Sequence, residues 1–206
     1  MLRNTFAALL IATAVFSGNA FADDMLAIET TNVASIDSVF SPISSIHTKL
    51  SDTQTQLGTI EENIRTALGV ATDAPLETAL ADFKAQAGDA LSLTMDGTMP
   101  KLTVADAAPQ NIKDGVTALQ TAFTDLNTIV TTLPTLADDA MAVVTAAQGL
   151  DPKALAGEIK SSGQKLGKTL KLVNSNRKAT QQTPDHIQTT LGSATGLMDS
   201  LVAPFK

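Results

Sequence analysis

The chain has 206 residues, with 14 Lys and Arg against 21 Asp and Glu, and it contains no Cys, Trp or Tyr. A net charge of −7 and so few aromatic side chains argue against nucleic-acid binding as a main role, because such surfaces are usually basic and stack bases on aromatic rings. The absence of cysteine excludes disulfides and thiolate metal sites, so an apolar core alone must hold the chain together.

The first 22 residues have the pattern of a secretory signal peptide. Arg3 supplies the positive start, Phe6 to Phe16 is an apolar run, and Ala20-Phe21-Ala22 is an A-x-A cleavage site followed by Asp23. We therefore predict that cleavage after Ala22 produces a mature chain beginning at Asp23. An N-terminal membrane anchor is the alternative, but the run is shorter than the roughly 20 apolar residues that span a bilayer.

The predicted processing indicates where the protein resides. We expect an exported protein, periplasmic or extracellular after removal of the signal peptide over residues 1–22. Residues 23–206 are enough for a single domain of ordinary size. We expect no integral membrane span in this mature chain.

The stretch from Val33 to Leu68 carries side chains at the spacing of a helix that packs lengthwise on other helices. One series repeats every seven residues and a second lies four residues further on. We predict that this stripe is buried within the monomer, with an oligomer seam as the alternative. Polar members of the second series are expected to fix register or to lie at a solvent-facing edge. The two series are Ile36, Ile43, Leu50, Leu57 and Ile64, and Phe40, His47, Gln54, Glu61 and Leu68.

Proline, glycine and cap residues divide the chain into further segments. In the first half we predict a helix over Met25–Phe40 with a kink or new start at Ser41-Pro42, a long helix ended by Gly69, a helix over Leu76–Leu91 capped by Asp73, and a loop over Met95–Pro100. A long helix over Ile112–Leu133 should then break at Pro134, and a short helix should follow that is ended by Gly149. The remaining predicted elements are a helix over Leu155–Val173 started by Asp151-Pro152, a loop over Asn174–Gln182 and a last helix starting at Thr183-Pro184.

These segments define the predicted fold class. No stretch alternates convincingly with period two, so β-barrels and sandwiches are disfavoured. Six or seven helices with short connections favour mostly antiparallel neighbours. We predict an all-α fold, an elongated and mostly antiparallel up-and-down helical bundle with long coiled-coil-like helices.

The segment from Ser162 to Thr169 resembles a phosphate-binding loop only superficially. That motif needs four residues between its glycines and a preceding strand, whereas Gly163 and Gly167 are separated by three. We interpret the segment as the middle of a helix, in which the two glycines would allow a neighbouring helix to approach closely. No cofactor is predicted.

The remaining candidates for chemistry are sparse. We interpret His47 as a hydrogen-bonded packing residue. His186 lies beside Asp185, and nothing in the sequence brings a third metal ligand to either histidine. The adjacent acids Glu61-Glu62 and Asp138-Asp139 point about 100° apart on a helix, so neither pair forms a shared carboxylate site by itself. We therefore predict no catalytic residue, no metal site and no enzyme.

Lysines are concentrated in one segment of this acidic chain. On a single predicted helix they would lie opposite Ile159, Leu166 and Leu170. Such a run is usually a solvated face that balances acids on neighbouring helices. The functional alternative is a docking face for anionic lipid, polysaccharide or an acidic partner. The residues are Lys153, Lys160, Lys165, Lys168 and Lys171.

Taken together, these features indicate an exported structural or protein-interaction protein of the bacterial cell envelope. Its partner would be an unknown protein or a second copy of the chain, and nucleic acid is not expected as a partner. The alternative is an amphipathic-helix protein that binds anionic lipid or the membrane surface reversibly.

Overall fold

A computed structural model describes residues 25–71, 74–97 and 99–206. This described part is predominantly α-helical, with five α-helices and one small two-stranded sheet. The predicted signal peptide, its cleavage residues Ala20, Ala22 and Asp23, and the predicted cap Asp73 lie outside it. The elements are α1 (Ala34–Ala67), α2 (Leu76–Ala87), β1 (Leu91–Asp96), β2 (Met99–Val104), α3 (Gln110–Gln148), α4 (Pro152–Ser161) and α5 (Leu166–Val202).

The three long helices α1, α3 and α5 all contact one another. Hydrogen bonds join His47 to Thr183 and Gln54 to Thr190, so α1 and α5 run parallel with a constant offset along the chain. Helix α3 runs antiparallel to both. Its C-terminal Ala147 belongs to the apolar cluster at the start of α1, and its N-terminal Gly115 lies beside Leu68 after the end of α1.

The stripe predicted for α1 is buried inside the chain, as expected for core packing within the monomer. Its first series from Ile36 to Ile64 is buried throughout, and Leu57 is 4% exposed. Helices α3 and α5 also bury residues at alternating intervals of four and three. In α5 this series is Thr169, Val173, Asn176, Thr180, Thr183, Ile187, Thr190 and Ala194, and all of these except Val173, Ile187 and Ala194 are polar.

The predicted breaks at Pro134 and before Pro184 are wrong, and no new helix starts at Pro42. Pro42, Pro134 and Pro184 lie inside α1, α3 and α5, and the loop predicted over Asn174–Gln182 is helical. A proline ring removes one helical hydrogen bond, but burial of a heptad stripe over ten turns outweighs that cost. Pro42 and Pro134 face solvent, where water can satisfy the carbonyl that loses its partner.

The first predicted helix is correct only from Ala34 onward. Residues 26–31 have no regular structure, and Asn32 adopts a positive φ of 60°. The Asp37 carboxylate, in the first turn of α1, accepts hydrogen bonds from the backbone nitrogens of Thr31 and Asn32 and from the Thr31 hydroxyl. These bonds fix the chain where it enters the helix, and a carboxylate is favourable at that end.

A β-hairpin replaces the loop predicted over Met95–Pro100. Strands β1 and β2 pair antiparallel from Leu91 opposite Val104 to Asp96 opposite Met99. Gly97 supplies a positive φ of 64° in the connection. The Gln120 side chain of α3 accepts a hydrogen bond from the Leu102 backbone nitrogen, which attaches the hairpin to α3.

The helix predicted over Leu155–Val173 is two helices. Asp151 caps α4 as expected, because its carboxylate accepts a hydrogen bond of 3.0 Å from the Lys153 backbone nitrogen. Gly163, at φ 75°, then ends α4, and the backbone nitrogen of Gln164 donates back to the Ile159 carbonyl. The predicted helix ends at Gly69 and Gly149 agree with the structure.

The two ends of the long helices carry separate packing elements. At one end α4 joins a small cluster with the start of α1 and the start of α5, centred on Phe40 and Ile159. At the other end α2 covers the core, and its Phe83 ring meets Phe205 edge-on at 6.5 Å. Gly115 of α3 allows that ring to lie close, since a Cβ there would come within 2.5 Å of it.

Candidate functional site

The five predicted lysines lie on two helices and the turn between them, not on one helix face. Lys153 and Lys160 belong to α4, Lys165 lies in the connection, and Lys168 and Lys171 belong to α5. All five are exposed, and α4 and α5 contact each other. We call these five residues the lysine surface. It occupies the end of the molecule that the smaller apolar cluster stabilises.

The lysine surface is not neutralised by ion pairs in residues 25–71, 74–97 and 99–206. Within those ranges the one ion pair joins Arg65 to Glu61. Glu158 of α4 accepts a hydrogen bond from the Ser35 hydroxyl. Arg177 has a structural role, because its guanidinium donates to the carbonyls of Ala147 and Leu150, at 2.9 Å each, where α3 ends.

The apolar side chains beside the lysine surface are packed in the smaller apolar cluster. Leu155 and Ile159 are 4% and 0% exposed. Leu166 and Leu170 of α5 are half-buried and pack on the same cluster. The surface therefore offers charge without an apolar stripe that could insert into a membrane.

A polar seam runs between α1 and α5, made of His47, Gln54, Thr183 and Thr190. Each threonine hydroxyl donates its single hydrogen to its own helix, Thr183 to Ala179 and Thr190 to the backbone carbonyl of His186. Each hydroxyl must therefore accept the bond from α1. His47 Nε2 donates to Thr183 over 2.8 Å, and Gln54 Nε2 donates to Thr190 over 3.3 Å.

The prediction that His47 is a hydrogen-bonded packing residue is confirmed by the seam. Burial lowers the pKa of His47, and the nearby His186 lowers it further. The side-chain oxygens of Gln54 and Gln182 are buried without a partner among the described protein atoms. The seam thus fixes the register of α1 on α5, at the cost of the unpaired amide oxygen of Gln54.

A shallow groove of about 320 Å³ separates parts of α1 and α3 on the side away from the polar seam. Its floor includes Ile129, Leu133 and Leu136, and Lys49 and Asp139 lie at its margins. The floor side chains are at most 8% exposed, so little apolar area is left for a partner to cover. Polar and charged side chains of both helices also line the groove: Lys49, Asp52, Thr53, Gln56, Thr128, Thr132, Thr135 and Asp139.

The segment resembling a phosphate-binding loop is a connection between two helices, so its interpretation as mid-helix is wrong. It still lacks the preceding strand, because α4 precedes it. Thr169, where the motif places its metal-binding hydroxyl, is 2% exposed. The proposed close approach at Gly167 is also wrong, since a Cβ there would meet nothing within 4 Å.

Metal chemistry finds no support in the part of the chain that the structure describes. There, no group of three or more His, Asp or Glu side chains is placed to hold a metal ion. His186 is near enough to His47 to lower its pKa, but among the described residues no third ligating side chain is grouped with them.

Sequence reasoning missed the polar seam on its α5 side, although the signal was present. Thr183 and Thr190 continue a four-three spacing that begins at Thr169, but threonine is not normally counted as a core residue.

Comparisons with known proteins add no further assignment: the sequence matches no protein-family model, and no curated protein and no solved structure matches it either.

Proposed function

We propose that this chain is an exported structural or protein-interaction protein of the bacterial cell envelope, built as an elongated up-and-down bundle. The observation that carries the proposal is the register of its three long helices, buried on one another along ten turns and aligned by the polar seam. Such a scaffold stiffens the molecule and leaves its outer faces for contacts. Helix α3 could cross a membrane by length and composition alone, but its heptad residues pack on α1 and α5.

The same proposal includes the absence of an enzymatic role and of a cofactor. In the described residues no group of three or more His, Asp or Glu side chains is placed as a metal site, and His47 and Gln54 of α1 are hydrogen-bonded to threonines of α5. Bundle enzymes assemble such sites from facing helices. Here the facing positions of α1 and α5 are filled by hydrogen-bonded threonine, histidine and glutamine.

Cross-linking in intact cells tests the proposed function. Lysine-reactive cross-linkers reach the exposed Lys153, Lys160 and Lys168, so an envelope partner or a second copy should appear as a product of discrete mass. A chain lacking residues 1–22 is the control, because it should remain inside the cell and lose an envelope product. Recovery of monomer alone in the envelope would contradict the proposal.

The second candidate function is reversible binding to anionic lipid, and the exposed lysine surface favours it. Each lysine near an anionic membrane contributes about 1 kcal/mol, fading within a Debye length. Co-sedimentation with anionic and neutral vesicles at low and moderate salt measures it. Binding confined to anionic vesicles and lost on changing Lys160, Lys168 and Lys171 to Glu would support this candidate; we expect no binding to either, since the neighbouring leucines pack in the core.

A further inference from the structure

The two ends of the molecule carry opposite net charge, and the middle of the long helices, residues 41–57, 117–146 and 181–196, carries five acidic side chains against one basic. The basic end comprises residues 25–40 and 147–180, with seven basic against four acidic side chains and a net charge of +3. The acidic end comprises residues 58–71, 74–97, 99–116 and 197–206, with nine acidic against five basic side chains and a net charge of −4. The lysine surface supplies most of the positive charge.

The two ends are too far apart to neutralise each other within one molecule. Helix α3 has 39 residues, and at 1.5 Å per residue it is about 58 Å long. Its C-terminus lies in the basic end with Phe40, and its N-terminus lies in the acidic end with Phe83 and Leu68. A Debye length of about 8 Å at physiological ionic strength screens charges over that distance.

Both ends present their charges to solvent. The lysine surface is exposed and lacks an acidic partner among the described residues. At the acidic end Asp82, Asp89 and Asp106 are exposed as well. Complementary charges on opposite ends of the same molecule can meet only between copies.

We propose that the lysine surface of one copy binds the acidic end of a second copy, so that copies associate head to tail. This inference rests on the proposed function and names its partner. A contact between two different surfaces is heterologous, and it produces an open chain of copies unless a rotation closes it into a ring. A second copy fits better than a membrane, because Leu166 and Leu170 are packed on the core and cannot insert.

Sedimentation velocity and light scattering on the chain without residues 1–22 test the proposal. At about 10 mM ionic strength, where the Debye length is about 30 Å, the average mass should rise steadily with protein concentration. At about 1 M, where the Debye length is about 3 Å, the mass should return to that of a monomer. A monomer at every concentration in low salt would overturn the inference.

Two charge-neutralising variants separate the ends. The first changes Lys160, Lys168 and Lys171 to Gln, and the second changes Asp82, Asp89 and Asp106 to Asn. Each alone should be monomeric, whereas their equimolar mixture should form a dimer that does not grow, because each variant keeps one working end. Circular dichroism verifies that both fold, and a variant with Lys160, Lys168 and Lys171 changed to Arg should associate like the original chain.

The remaining outcomes also decide the matter. A mixture of the two variants that stays monomeric would rule out the contact between the lysine surface and the acidic end, whereas a wild-type assembly that stops growing at a fixed mass would show that this contact closes on itself. Salt-sensitive binding to anionic vesicles by a chain that stays monomeric would assign the lysine surface to lipid. If cells show cross-links to another envelope protein while the purified chain is monomeric, the inference fails and the proposed function stands.

Discussion

At the scale of single residues, the core depends on large side chains that have no exposed surface. Leu119 of α3 is fully buried and Leu57 of α1 is 4% exposed. Replacing either with Ala removes apolar contacts and leaves a cavity, which should cost roughly 2–5 kcal/mol of stability. Thermal melts followed by circular dichroism should show an earlier transition for both variants.

The control for those two variants is Met141→Ala on α3. Met141 is 51% exposed, so its truncation should leave the melting temperature nearly unchanged. If Leu57→Ala or Leu119→Ala melts at the same temperature as the original chain, the stripe does not stabilise the fold as buried core, contrary to the structure.

We expect His47 to make the stability of the fold depend on pH. Its pKa in the folded chain lies below the unfolded value near 6.5, chiefly through burial and further through His186. Above the unfolded pKa, His47 is neutral in both the folded and the unfolded chain, and the full stability is present. As pH falls through about 6.5, the unfolded chain binds a proton first, so stability should decrease until the folded state also binds one.

Denaturant unfolding at several pH values between about 5 and 8 measures this dependence. His47→Gln should weaken the decline, because an amide can donate to Thr183 as Gln54 does to Thr190, and it does not titrate. His186→Gln is the matched variant and should keep most of the decline. A curve for His47→Gln as steep as that of the original chain would assign the dependence to other groups.

At the scale of helices and strands, continuity is set by the buried stripe and not by single residues. Pro134 lies in the exposed middle of α3, where it removes one backbone hydrogen bond. Replacing it with Ala should restore that bond and stabilise the fold by up to about 3 kcal/mol. A higher melting temperature with unchanged helical content would confirm it.

Pro109→Ala is the matched control, because Pro109 precedes the first turn of α3, where no helical hydrogen bond is lost. It should leave stability unchanged or slightly lower. A loss of helical content in Pro134→Ala would show instead that the proline is needed to shape α3.

The sequence predicted the helical class and the stripe of α1, because apolar residues there return at a fixed interval. The same interval crosses Pro134 from Leu126 through Leu133 to Ala140, so weighing periodicity above proline would have predicted one helix. The hairpin was missed although Asp96-Gly97 is a turn signal. Its alternation is short, and Leu93 is only half-buried.

Other features could not be predicted from local pattern at all. The turn at Gly163 depends on a positive φ that glycine permits but does not require. Because this turn separates α4 from α5, the lysines lie on two helices and the connection between them, and not on one helix face as predicted. The pairing of His47 with Thr183 joins residues 136 positions apart, which no short-range spacing reveals.

At the scale of the whole molecule, a cysteine-free chain must be stabilised without covalent cross-links. The described part achieves this with one large apolar cluster and a smaller one at the basic end. The polar seam contributes specificity more than stability, since the net gain of a neutral hydrogen bond is about 1 kcal/mol and unpaired groups cost a similar amount. Folding should therefore be independent of the redox environment.

The last prediction concerns the start of the mature chain. Exported protein should begin at Asp23, because Ala20 and Ala22 supply the small residues that signal peptidases need. A chain starting at Asp23 keeps every contact of the described residues, because Met25 and Ile28 pack on the apolar clusters and α1 begins at Ala34. N-terminal sequencing of the exported protein gives the first residue directly. Ala22→Leu is the control and should accumulate uncleaved precursor. If the exported protein still carries Phe6 to Phe16, the prediction of a cleaved signal peptide is wrong and the segment is a membrane anchor.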